Sequence, residues 1–209
     1  MYKPIVVIDY GMGNIGSVVN IFKKMGRGSL PITVSSNPKD IALASKLVLP
    51  GVGHFGRAME NLMKFDLKSV LFSKVVTEST PILGICLGMQ LFSQGSEEGG
   101  SEGLGFFSGR TIYFQKTAAE LSLPHMGWNW VFPQKEDAAI VNLPLPSRFY
   151  FVHSYHVKCD NASDILFMSK YGYDFPAAIS KQNILGVQFH PEKSHKFGMK
   201  LIQNFIENY

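Results

Sequence analysis

The 209-residue sequence predicts an α/β fold: a mostly parallel central sheet flanked by helices, with an added antiparallel or mixed strand extension. Three observations predict it. Short apolar runs alternate with helical spacing through residue 92, as a parallel sheet with crossover helices requires. Beyond residue 105 the pattern changes to strand-like runs separated by turns, with no long helix between them. No internal repeat or linker interrupts the chain, so residues 1–209 are expected to form one domain.

Ile5-Val6-Val7-Ile8 is a β-branched run suited to a central strand buried on both faces. It leads through Asp9-Tyr10 into Gly11-Met12-Gly13-Asn14-Ile15-Gly16, a G-x-G-x-x-G between a strand and a helix. In a dinucleotide site an acidic residue follows about 20 positions on, at the end of the second strand. Here the second strand, Ile32-Thr33-Val34, ends in Ser35-Ser36-Asn37-Pro38, and Asp40 falls in the next helix, Lys39 to Ala44. The loop is therefore not expected to hold a dinucleotide. Leu47-Val48-Leu49 is the third strand. It delivers the chain into Pro50-Gly51-Val52-Gly53-His54-Phe55-Gly56, a turn whose backbone N–H groups can face negative charge. Helical spacing follows at Met59–Met63 and Leu67–Val76, and Ile82–Ile85 is the fourth strand. Residues 94–105 are polar and glycine-rich, a surface loop with solvation as its simplest role. Arg110–Phe114, Trp128–Phe132, Arg148–Val152 and Ile165–Tyr171 read as strands, and Ile184–Phe189 as the last one. The last helix, Phe197–Tyr209, carries Leu201, Ile202, Phe205 and Ile206 on one face.

The composition, 45% hydrophobic and 17% charged, is that of a globular chain with a core. The net charge of +4 is spread thinly, and no Lys/Arg-rich run is present to track a phosphate backbone, so nucleic-acid binding is not expected. Apolar stretches fall far short of the ~20 residues that span a bilayer, so no membrane segment is expected. Met1-Tyr2-Lys3-Pro4 does not resemble a signal peptide, and the two cysteines have dissimilar flanks. A reducing cytoplasm is the expected setting, and Asn161-Ala162-Ser163 is then a chance sequon.

The chemistry centres on Gly84-Ile85-Cys86-Leu87-Gly88, a G-x-S-x-G pattern with sulfur in place of oxygen. That pattern makes a sharp strand-to-helix turn that lifts one side chain clear of the sheet. Its glycines remove Cβ atoms that would clash in the bend, and a helix N-terminus there would favour thiolate. A cysteine nucleophile needs an imidazole to take its proton, and the imidazole needs an acid to fix its tautomer. Gln188-Phe189-His190-Pro191-Glu192 offers both. In an extended segment His190 and Glu192, two apart, face the same way. A rival metal reading rests on His153 and His156, but on one strand that spacing sends the rings to opposite faces. His190-x-Glu192 also lacks the Pro-Cys-x-x-Cys of zinc deaminases. No metal and no cofactor are expected.

Asp9–Asn14, Pro50–Gly53, Gly84–Gln90, His125-Met126-Gly127-Trp128-Asn129 and Gly186–Ser194 together resemble, in order, the hallmarks of class I (triad) glutamine amidotransferases, a flavodoxin-like fold. The His-Met-Gly-Trp-Asn segment is similar to the branch of glutaminase subunits of imidazole glycerol phosphate synthase. The resemblance implies that Cys86, His190 and Glu192 hydrolyse L-glutamine through a thioester. It implies an oxyanion hole from Gly51, Val52, Gly53 and the Leu87 N–H, and substrate contacts from Gln90, Ser154 and Tyr155. It further implies a (β/α)8-barrel synthase partner in a heterodimer, docked and gated by a face including Asn14, Met126, Trp128, Tyr150 and Lys193. Phe151–His156 and Ser194–Gly198 also resemble relatives that feed ammonia to surface-sugar pathways. A docking module with a silent site is the non-enzymatic alternative, against which the complete Cys-His-Glu set argues.

Overall fold

The computed structural model describes residues 3–26, 28, 31–115 and 121–209; Met1 and Tyr2, part of the segment that does not resemble a signal peptide, lie outside them. In chain order the first half comprises β1 (Ile5–Ile8), α1 (Ile15–Gly26), β2 (Ile32–Ser35), α2 (Pro38–Ala42), β3 (Lys46–Gly51), α3 (Phe55–Lys64) and α4 (Leu67–Phe72). A π-helical turn at Ser73–Thr77 follows, then β4 (Ile82–Cys86) and α5 (Leu87–Leu91). The second half comprises β5 (Gly109–Tyr113), β6 (His125–Pro133), β7 (Ser147–His153), β8 (Tyr155–Cys159), β9 (Ile165–Tyr171), β10 (Tyr173–Lys181), β11 (Ile184–Val187) and α6 (His195–Asn208).

Nine strands share one sheet in the order β2-β1-β3-β4-β11-β10-β9-β6-β7. Strands β2, β1, β3, β4 and β11 run parallel, and β10, β9, β6 and β7 continue the sheet antiparallel. A separate antiparallel pair joins β5 to β8. The predicted mixed architecture is the one observed. The inner parallel strands β1, β3, β4 and β11 are buried along their whole length between helical layers, whereas the edge strand β2 is only partly buried. Val7, Val48 and Leu83 enter a core shared with Phe22 of α1 and Phe205 of α6. Val6, Leu47 and Ile82 enter the opposite core, with Leu62 of α3 and Leu71 of α4.

Several readings change. The stretch read as one helix over Leu67–Val76 loosens into the π turn after Phe72. Two strands escaped the sequence. β8 is separated from β7 only by Ser154, with no turn residues to announce the break. β10 contains Pro176, which argues against a paired strand. The sheet accommodates it with register shifts between Pro176 and Ile179. Strand β11 stops at Val187, and Pro191–Lys193 is a turn of 3-10 helix. The alternation expected to align His190 with Glu192 therefore does not operate there; the helical turn after Pro191 sets their approach instead.

Candidate active site

β4 and β3 run side by side, with Gly51 paired to Cys86 at their carboxyl ends. There the chain turns abruptly from β4 into α5, and Cys86 sits at φ 55, ψ −110. A non-glycine residue held in such a region stores about 1–3 kcal/mol of strain, a cost found mostly at functional sites. The neighbouring glycines permit the bend sterically. A Cβ on Gly88 would strike the Leu49 carbonyl oxygen, and one on Gly84 would lie 2.6 Å from the Phe92 ring. Helix α5 begins at Leu87, directly after Cys86 as the sequence predicts, and is only five residues long.

His190 supplies a positive charge. Its Nδ1 lies 2.8 Å from Glu192 Oε1, and both side chains are buried. Among the described residues, His190 Nε2 and Glu192 Oε2 have no hydrogen-bond partner. Burial alone would lower the His190 pKa, but the Cys86 thiolate and the Glu192 carboxylate outweigh it and raise the value to about 10. The imidazolium thus lies between sulfur and carboxylate. Backbone contacts hold it there: His190 N–H donates to the Tyr150 carbonyl at 2.8 Å. Ser194 Oγ donates to the His190 carbonyl at 2.6 Å and accepts from Tyr150 N–H at 3.0 Å.

A cavity of about 480 Å³ opens over the thiol, lined by Val52, Gly53, Cys86, Leu87, Gln90, Ser154 and Tyr155 among others. Val52, exposed, and Gly53, at φ +107, border the cavity just past the end of β3. Gln90 does not project freely into this space. Its Nε2 donates to the Tyr155 carbonyl and to Gln188 Oε1, both at 3.0 Å. Gln188 Nε2 in turn points at Cys86 Sγ from 3.7 Å. Glu98 and Tyr113 also line the cavity. Both went unnoticed in the sequence, Glu98 because the loop at 94–105 read as merely solvated; its carboxylate is tied to the Phe55 N–H at 2.7 Å. Gln188 was visible only as part of a strand.

The histidines read as a metal alternative occupy different strands, His153 ending β7 and His156 lying in β8. Both rings pack on Phe114, at 5.3 and 4.5 Å between centroids, rather than on opposite faces. Ser154 breaks the strand between them and resets the alternation. A chain of contacts fixes the tautomers beside them: Asn129 Nδ2 donates to His125 Nε2 at 3.2 Å. His125 Nδ1–H must then donate to His153 Nε2 at 3.0 Å, and His153 Nδ1–H to the Tyr155 carbonyl at 2.7 Å. Burial lowers the pKa of each of His125, His153 and His156. Among the described residues no three His, Cys, Asp or Glu side chains group as metal ligands. No helix among them is long and apolar enough to cross a membrane.

Apart from the residues that line the cavity, Trp128 stacks parallel to His195 at 5.4 Å and meets the Tyr150 ring edge-on at 6.4 Å, while Lys193 Nζ lies over Tyr150 at 5.6 Å. His195 was missed. Met126 and Trp128 lead an exposed apolar row that continues through Trp130 and Phe132 on the same face of β6. The period-two spacing of those four residues was the available signal. Asn14 lies just before α1, its Oδ1 accepting from Ser17 N–H.

Residues 6–208 match the family Glutamine amidotransferase class-I. An imidazole glycerol phosphate synthase subunit HisH 2 from Methanococcus maripaludis is 50% identical over 203 residues, covering 97% of this chain and 98% of that protein. Its namesake in Pseudomonas aeruginosa is 46% identical with the same coverage. Among solved structures, PurLQS from Thermotoga maritima superposes with TM-score 0.70 at 15% identity, covering 100% of this chain and 99% of that one, a likeness of fold. Matched to the family almost end to end and half identical to a full-length relative, the chain belongs to the class I glutamine amidotransferases, in the branch of the imidazole glycerol phosphate synthase HisH subunits.

Proposed function

We propose that the chain hydrolyses L-glutamine to glutamate and ammonia with Cys86, His190 and Glu192, and passes the ammonia to a (β/α)8-barrel synthase subunit for histidine biosynthesis. The observation that carries this is the Cys86 elbow at φ 55 facing a His190 whose far nitrogen is held by Glu192. Cys86 Sγ attacks the side-chain amide carbon. The C–N bond then breaks, and the proton on His190 Nε2 leaves with the ammonia. Neutral His190 next takes a proton from water, whose oxygen attacks the thioester carbon; the C–S bond breaks, glutamate leaves and the thiolate and imidazolium are restored. The Leu87 N–H and a donor from Gly51–Gly53 meet the oxyanion; losing one such donor typically costs ~100–1,000-fold in kcat. Ser154 and Tyr155 hold the ends of glutamine, and Gln90 braces Tyr155 from below. No cofactor is called for.

The exposed row from Met126, with Trp128, Tyr150, Lys193 and Asn14 nearby, supports a docking and gating face, since exposed apolar patches mark interaction surfaces. A second reading, in which the chain feeds ammonia to a surface-sugar pathway, is supported by the resemblance of Phe151–His156 and Ser194–Gly198 to relatives of that kind. Glutamate release would be measured from the chain alone, with each candidate barrel partner plus its nucleotide substrate analogue, and from Cys86→Ala. Feeble activity alone, stimulation by one partner, and none in Cys86→Ala are expected. Which partner stimulates assigns the pathway, and residual activity in Cys86→Ala would refute the nucleophile.

A further inference from the structure

Tyr10, two residues past β1, is fully buried, and its hydroxyl has no hydrogen-bond partner among the described residues. It stands beneath the candidate oxyanion strand. A Cβ on Gly51 would lie 2.5 Å from Tyr10 Oη, 3.0 Å from Leu87 Cβ and 3.2 Å from Gly88 N. The hydroxyl is thus wedged between Gly51 and the start of α5. Burial and the Cys86 thiolate raise its pKa far out of reach, so it remains an O–H donor. A buried donor left unpaired is costly, and a phenylalanine would fill the same space without that cost. The hydroxyl therefore points to a second conformation in which it has an acceptor.

An acceptor beside it is the carbonyl of Gly51, on whose Cα side the hydroxyl lies. Rotation about ψ of Gly51, which carries no Cβ, together with φ of Val52 would exchange the sides on which the carbonyl and N–H of the Gly51–Val52 peptide lie. We propose that Tyr10 is a positioning residue whose hydroxyl donates to the Gly51 carbonyl in the conformation that turns the Val52 N–H toward the oxyanion. This rests on the glutaminase reading above and names what holds its oxyanion strand in the working state. The side chain touches no substrate and acts only through the peptide.

The test compares wild type, Tyr10→Phe and Cys86→Ala, each alone and with the stimulating barrel partner plus its nucleotide analogue. For Tyr10→Phe the ratio of stimulated to unstimulated kcat should fall about tenfold, the worth of one hydrogen bond, with KM for glutamine within about twofold. Its Tm should not fall, and the rate at which iodoacetamide labels Cys86 should hold, because neither depends on the peptide's orientation. A stimulation ratio equal to wild type, or a loss shared equally by both states, would overturn the role of Tyr10 alone. Wild type that no partner stimulates would overturn the gated reading and the inference with it.

Discussion

Cys86 and His190, in the proposed mechanism, divide the work of making a nucleophile. The elbow holds the cysteine backbone in a strained conformation under the cavity, while two anions around His190 keep the imidazole charged well above its usual range, to about 10. The folded state therefore holds a proton that the unfolded chain releases near 6.5. The resulting stabilisation is complete below that pH and fades as pH rises through about 10. Glu192→Gln removes one of the anions and the tautomer-fixing contact. It should lower kcat by on the order of 10³–10⁴-fold and move the alkaline fall of the residual activity to lower pH. A pH–kcat profile unchanged in shape would show that Glu192 does not tune His190.

Glycines separate the elements that must touch from those that merely could. Gly88 brings α5 so close to β3 that any side chain would strike the Leu49 carbonyl, whereas nothing lies within 4 Å of a Cβ on Gly16 in the first turn of α1. Gly88→Ala should lower Tm severely or prevent soluble accumulation. Gly16→Ala should raise stability by about 0.4–1 kcal/mol, because a glycine in a helix costs backbone entropy. Chemical denaturation of the pair checks both, and a tolerated Gly88→Ala would mean the elbow is looser than its geometry. Gly16 stands in open space, whereas the third glycine of a dinucleotide fingerprint serves close helix–strand packing. Strand β10 shows the converse limit, its Pro176 absorbed by a shift of register that only the neighbouring strand reveals.

Across the whole molecule, β6 to β10 and the end of β5 converge on Phe114, which gathers His125, His153, His156, Tyr171 and Tyr173 around it. His156 Nε2 meets Tyr173 Oη at 2.8 Å. Burial depresses all three imidazoles, that of His125 to about 4. Here the sign is opposite to that of His190: the unfolded chain takes up protons the fold refuses, so stability falls as pH drops from 6.5 toward 4. Tm should decline over that window, and His156→Gln should flatten the decline by removing one of the three contributions. A Tm independent of pH down to about 4.5 would contradict it.

The sequence by itself determined the layered α/β plan, because runs such as Ile5–Ile8 and Ile82–Ile85 can be satisfied only between two helical layers. It also marked Cys86, since the glycine spacing of an elbow is a local steric requirement. The histidine partner was legible through a motif, though for a mistaken reason, a strand where a 3-10 turn stands. What the tertiary structure decided was everything that depends on distant segments meeting. It brought Ser194 onto the His190 carbonyl, Gln188 toward the thiol, Glu98 to the cavity and Tyr10 beneath Gly51. It also raised His190 in pKa and drove the histidines around Phe114 the other way. An imidazole's charge is set by burial and by neighbouring anions, and the linear chain specifies neither until it has folded.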